Sequence, residues 1–254
     1  MVDEAKRKAA LEQIREHIAR KGHHVYVVVG SVIPRYAYTV GVSESIGAEL
    51  ILAGASFYGN DDIVEIINDI AAQLKAERDR ERFEVTEYGS FTLRKAHASW
   101  ATRFMRGALD YYQVSEMPGF QIVPDGAHWT IDVPNLSTPW SATAEPAWRW
   151  LYDSCPYPVS KQAMAATNLA ALRGGRITEA KRWEEDEWEI FAGDGSNVSQ
   201  DELRVLALCS LLAMDESLAP VLNLLVGEGL WRDPDAGSEW QPWRNQEKGT
   251  GPVQ

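Results

Sequence analysis

Apolar residues Leu11, Ile14 and Ile18 recur at helical spacing among Lys, Arg and Glu near the start of the chain, and Gly22 follows them. That pattern predicts a first helix that stops at the glycine. Three short runs rich in β-branched and aromatic residues come next, His24 to Gly30, Tyr36 to Val42 and Glu49 to Ala53. Pro34 and a turn at Ser43 to Gly47 separate them, so they read as strands of one sheet. Asn60, Asp61 and Asp62 suit a helix N-terminus, and Ile63, Ile66, Ile67, Ile70 and Leu74 lay an apolar stripe along the helix that follows. Phe83 to Thr86 and Ser90 to Arg94 read as a hairpin turning at Tyr88 and Gly89. Trp100 to Tyr112 reads as a further amphipathic helix, then Phe120 to Val123 and Trp129 to Val133 as two strands about a turn at Asp125 and Gly126.

The order of elements lacks a repeated β-α-β rhythm, which predicts an α+β fold whose first sheet is largely antiparallel with flanking helices. The apolar period disappears between Asn135 and Pro146, where Pro139, Ser141 and Thr143 also fall. A domain boundary is expected there, dividing an N-terminal α+β domain (1–140) from a small Trp-rich α+β domain (147–254). Each part is long enough to hold its own core, so cleavage between Ser137 and Pro146 should leave two folding units. In the second part Ser199 and Glu202 have capping-box spacing ahead of Leu203, Leu206 and the run Leu208 to Leu212, which predicts a buried helix. Another helix is expected over Leu218 to Val226, and an irregular tail after Pro234.

Composition adds a sign to this outline. The 25 Lys and Arg are outnumbered by 37 Asp and Glu, for a formal charge of −12. Such a surface repels phosphate backbones and anionic lipid, so neither nucleic acid nor a membrane is expected as a partner, whereas a basic protein would be attracted; solubility alone also favours an acidic surface. No apolar run approaches the ~20 residues needed to span a bilayer, and Met1 to Arg20 lacks a secretory apolar core, so a cytoplasmic location is expected. Cys155 and Cys209 are the 2 cysteines. Their spacing suggests no metal knuckle, and they are expected as buried free thiols.

Candidate chemistry is sparse. His23 and His24 are adjacent and would face opposite sides of a strand, so no shared metal is expected. His97 and His128 lie in neighbouring predicted elements, and either is a candidate general base or a hydrogen-bonded structural residue. Phosphate-loop spacing and a serine elbow are missing around the glycines and serines, and no cofactor is expected. Tyr36, Tyr38 and Thr39 alternate along a strand that ends in Gly41, a pattern that suits either a pocket wall or cross-strand packing. Seven of the ten tryptophans fall between Trp148 and Trp243, and Trp183 and Trp188 punctuate the acidic run Glu184, Glu185, Asp186, Glu187.

The stretch YAYTVGVSESIGAELILAG, Tyr36 to Gly54, resembles the FAYTIGL and PELI signature of the bacterial family catalogued as domain of unknown function 4262. The strand before it and DYYQV with FQIVPD, Asp110 to Asp125, extend that resemblance over about residues 10–140. His23 stands where that family commonly has tryptophan. The order YPVSKQAM at Tyr157 to Met164, WEIFAGD at Trp188 to Asp194 and GEGLWRD at Gly227 to Asp233 resembles a second family, domain of unknown function 2185, associated with immunity proteins of toxin systems. That resemblance implies a non-enzymatic binding module that neutralises a toxin; the acidic, Trp-rich run Trp183 to Trp188 is expected, from hot-spot composition and charge, to be the surface it presents to a basic partner. The alternative is an enzyme or small-ligand binder with a pocket near Tyr38, Thr39 and His97.

Overall fold

A computed structural model describes residues 4–235 and 239–243. The amphipathic first segment forms α1 (Glu4–Lys21), and the chain turns through Gly22 into β1 (His24–Val28). β2 (Tyr36–Val40), the one-turn α2 (Ser43–Ile46) and β3 (Glu49–Ala53) follow, then α3 (Asn60–Ala76) on its isoleucine stripe. The hairpin forms as β4 (Arg82–Val85) and β5 (Gly89–Lys95), and β6 (Gly119–Pro124) inserts between β3 and β5. The six strands lie in the order β1-β2-β3-β6-β5-β4, antiparallel except where β3 runs parallel to β6.

Period-two alternation sends the side chains of this sheet into two separate cores. Ala37, Leu50 and Leu52 meet Ile63, Ile66 and Ile70 of α3 on one face. Tyr38, Val40 and Ile51 meet Ile14, Trp100 and Phe104 on the other. The helix expected over Trp100 to Tyr112 is broken at Met105 into α4 (Ala98–Phe104) and α5 (Arg106–Tyr112). Met105 leaves the helical region at φ −92°, ψ 35° and is itself fully buried.

Trp129 to Val133, expected as a strand, is irregular. Its polar groups are spent elsewhere: Asp132 accepts from Ser56 Oγ at 2.7 Å, and Ile131 N donates to Leu172 O at 2.8 Å in the second part. A ladder would leave those buried partners unsatisfied.

The second part comprises β7 (Met164–Asn168), α6 (Leu169–Leu172), β8 (Glu179–Arg182), β9 (Glu187–Phe191), β10 (Leu203–Ala207), α7 (Leu208–Met214), β11 (Gly229–Trp231) and β12 (Gln241–Pro242). Its sheet has the order β10-β7-β9-β8-β11-β12, with one parallel pair, β7 and β9. The protein is thus an α+β fold in two parts, each built on a mixed six-stranded sheet. Leu203 to Ala207 is a strand rather than the start of the expected helix. Ser199 Oγ reaches the Glu202 carboxylate at 3.2 Å within a single 3-10 turn, Gln200–Glu202, and helix begins only at Leu208. The helix expected over Leu218 to Val226 is the 3-10 segment Glu216–Asn223. Of the irregular tail, residues 236–238 and 244–254 lie outside the described residues. No helix among the described residues is long and apolar enough to cross a membrane.

A 3-10 helix, Pro146–Leu151, joins the parts and serves both. Trp148 is fully buried in the core of the first part and donates its indole N–H to Asp132 O at 2.8 Å. Trp150, on another side of the same helix, donates to Cys209 O at 2.8 Å on α7. The cysteines, expected as free thiols, are joined in a disulfide, Cys155–Cys209. Their separation of 54 residues hid the pairing, because only the packing of this 3-10 helix on α7 brings them together.

Candidate functional site

The inner face of the second sheet is filled by Ala165, Ala180, Trp188, Ile190 and Leu206 against α7 and the 216–223 segment. By alternation the intervening residues point the other way. The register places Val205 opposite Ala166, Ala166 opposite Glu189, Glu189 opposite Lys181, and Lys181 opposite Gly229. The Trp243 ring closes that row by lying over Gly229, where an added Cβ would come within 2.5 Å of it. A neighbouring row pairs Phe191 with Glu179 and Glu179 with Trp231. Turn residue Gly195 covers Phe191 and gives its amide to the Glu179 carboxylate at 2.9 Å.

This outer face holds a groove of about 220 Å³ flanked by Trp183 and Trp243, with Glu179, Glu189 and Asp194 around it. Both indoles are exposed, at 46% and 42%. Lys181 stands over the Trp183 ring with its ammonium 3.1 Å from the centroid, so the face already displays cation–π geometry. The Asp194 carboxyl is held below its ordinary range, first by the Ser196 hydroxyl and then by the Ser196 amide. Glu184, Glu185 and Asp186 form the tip of the β8–β9 hairpin. The Arg182 guanidinium braces that tip from beneath through Glu185 O at 2.8 Å and Leu224 O at 3.0 Å. Among the described residues, Glu184, Glu185, Asp186, Glu187 and Glu189 form no ion pair.

The structure divides the predicted surface set. Trp183, Glu184, Glu185 and Glu187 are exposed and Asp186 is half-buried, but Trp188 is a core residue at 3% exposure, beneath the Arg182 guanidinium. Trp231 and Trp243 lie on the same face as Trp183 but are not among the residues to which the sequence points. Their signal was the alternation in β11 and β12, and it depended on knowing that those segments pair with β8.

Tyr36 and Tyr38 stack on each other with ring centroids 6.4 Å apart, but Thr39 and His97 do not join them. Tyr36 stacks on Phe104 at 4.5 Å, and Tyr38 stacks on Tyr26 while its hydroxyl accepts from Gly107 N at 3.0 Å. Burial, first, pushes the Tyr38 hydroxyl well above its ordinary range. Thr39 points to the opposite face, where its hydroxyl donates to the Glu49 carboxylate at 2.5 Å and accepts from Leu50 N at 2.9 Å. His97 caps α4 by accepting from Ser99 N at 3.2 Å. His128, the other candidate base, hydrogen-bonds Asp125 at 2.7 Å through Nδ1. The antiparallel register of β5 and β6 puts His97 and His128 at opposite ends of that strand pair.

Glu49 explains much of the YTVG and ELI pattern. Although fully buried, its carboxylate accepts from Gly41 N (2.9 Å), Val42 N (3.2 Å), Ser43 N (3.2 Å) and Tyr112 Oη (2.9 Å), besides Thr39. Gly41 sits at φ +109°, and a Cβ there would press on Ile18 and the His23 backbone, so glycine is required for the amides to converge. The motif is a structural clasp between β2, β3 and α5.

Residues 17–128 match the family described as Domain of unknown function (DUF4262). The match lies wholly within the first part, spans the Glu49 clasp and covers less than half of the chain. The likeness of residues 155–235 to domain of unknown function 2185 is not shown. No curated protein and no solved structure matches the chain.

Proposed function

We propose that this chain is a non-enzymatic protein-binding module that takes a basic protein partner on the outer face of its second sheet; where that partner is a toxin, binding is the neutralising act of an immunity protein. The observation that carries this reading is the groove between exposed Trp183 and Trp243, bordered by carboxylates that, among the described residues, no cation neutralises in an ion pair. Exposed indoles grouped on one face are unusual in a free-standing protein and common at binding hot spots. An Arg or Lys from the partner would enter the groove, lie against an indole and meet Glu179 or Glu189, in the manner Lys181 already adopts on Trp183. The acidic hairpin tip at Glu184 to Glu187 would steer a basic protein toward this face and make association fall with added salt.

Affinity capture from the native host, repeated with Trp183→Ala and Glu185→Lys, tests the reading. Trp183→Ala should weaken capture by about ten-fold or more, the usual cost of truncating a hot-spot tryptophan. Glu185→Lys should mainly slow association. Unchanged capture by both variants would remove this face from consideration. Tyr38, Thr39 and His97 point into different surroundings: the first two are buried, and His97 lines a separate surface cleft with Met117 and Ser137.

A further inference from the structure

The turn between β3 and α3 is one place where the two parts meet, and it is held by an arginine from each. Arg35, just before β2, donates to Tyr58 O at 2.6 Å and to Asn60 Oδ1 at 2.7 Å. Arg204, on β10 of the second sheet, donates to Phe57 O through Nε at 2.8 Å and Nη2 at 2.6 Å. The turn between them is strained: Ala55 sits at φ +55°, and Gly54 precedes it at φ +65°, where a Cβ would strike Asp132 O at 2.1 Å.

A cleft of about 360 Å³ opens beside this turn, walled by Ile33, Met164 and Val205 and lined by both arginines and Asn60. Among the described residues neither guanidinium is in an ion pair. Four carboxylates lie around the pair without bridging to it: Asp62 accepts from the Gly59 amide at 2.6 Å and Asp132 from the Ser56 hydroxyl at 2.7 Å, while Asp201 and Glu202 stand beside Arg204, whose Nη1 donates to Asp201 O at 2.6 Å and Leu203 O at 2.8 Å. The Arg35 Nε–H is buried and finds no acceptor among the described residues. Burial, and for Arg35 also the charge of Arg204, lowers the affinity of these guanidiniums for their protons. The two like charges repel each other across one half-buried cleft, and an anion placed between them would relieve that repulsion.

We propose that the cleft between the two parts binds a small organic oxyanion, its charged head held by Arg35, Arg204 and the Asn60 amide and its short apolar body against Ile33, Met164 and Val205. The site is separate from the groove on the outer face of the second sheet and does not depend on the protein-binding reading. Planar guanidiniums suit a carboxylate or a phosphate head alike, and a cleft of about 360 Å³ lies at the small end of the range for ligand pockets.

Thermal unfolding of the full chain, in sodium butyrate or sodium phosphate against sodium chloride at equal ionic strength, tests the assignment. A saturable rise in Tm with butyrate identifies a carboxylate head, one with phosphate identifies a phosphate head, and either supports the site. Arg204→Gln should weaken the apparent affinity by about ten-fold, as expected for losing a charge-assisted contact. Because that change also releases Phe57 O, Val205→Trp provides a second variant. Val205 is 65% exposed, so the larger side chain fills the cleft without entering a core, and it should abolish the saturable rise while leaving the fold intact. No saturable rise in the native chain, or an equal rise in Val205→Trp, would overturn the proposal.

Discussion

Replacing Glu49 by Gln tests the clasp that ties the family's motif to its fold. The two carboxylate oxygens receive five donors, three on Oε1 from Gly41 N, Ser43 N and Tyr112 Oη, and two on Oε2 from Thr39 Oγ1 and Val42 N. A glutamine keeps one acceptor oxygen. Its NH₂ would then face Val42 N–H donor to donor, and the Thr39 hydroxyl would lose its acceptor while still receiving Leu50 N. Leaving one buried amide unsatisfied costs about 1–3 kcal/mol, and each surviving bond loses about 1 kcal/mol with the charge. Relief of carboxylate desolvation offsets part of this, so the net loss should be about 3 kcal/mol. Urea unfolding followed by circular dichroism measures it as a lower midpoint at unchanged slope. A loss below about 1 kcal/mol would mean that the five donors do not depend on this carboxylate, and the clasp would be refuted.

Three further outcomes follow from the packing. Burial first, then the charges of His17 and His23, push His24 from its ordinary 6.5 down to about 4. The unfolded chain therefore binds the extra proton in that window, and stability falls as pH drops from about 6.5 to about 4. His24→Phe, which keeps the edge contact on Tyr26, should flatten that slope, and an unchanged slope would show that His24 does not set it. A fragment ending at residue 140 lacks Trp148, fully buried in the core of the first part. It should be less stable than a fragment ending at 153 by about 3–5 kcal/mol, the usual cost of deleting a buried tryptophan, whereas equal melting of the two would place Trp148 outside that core. Thiol titration of the denatured, unreduced protein should find no free cysteine, while two titrating thiols would contradict the Cys155–Cys209 bond.

What could be read from the sequence follows from which signals are local. The isoleucine stripe of α3 and the β-branched runs of β1 to β3 are periodic within one element, and the structure has them where periodicity puts them. Leu203 to Ala207 was misread because its apolar residues continue without a break into α7, so strand and helix share one hydrophobic run. Trp129 to Val133 was misread because its buried Asp132 satisfies a turn from elsewhere in the chain. Glu49 was legible as a strand residue but not as a clasp, since its donors come from three other elements. At the candidate site, strand parity in β9 already separates Trp188, which shares the buried side with Ile190, from the exposed hairpin residue Trp183. The grouping of Trp183 with Trp243 came only with the β8–β11–β12 pairing.

A basic protein docking on the groove between Trp183 and Trp243 would bury both exposed indoles. The most direct test is a titration of the captured and purified partner against the native chain, Trp183→Ala, and a control, Val114→Ser, at an exposed position in the first part. Docking there predicts that Trp183→Ala weakens binding by about ten-fold or more, that the control binds as the native chain does, and that native affinity falls as salt is raised. Equal affinity for all three proteins, or an affinity indifferent to salt, would contradict it.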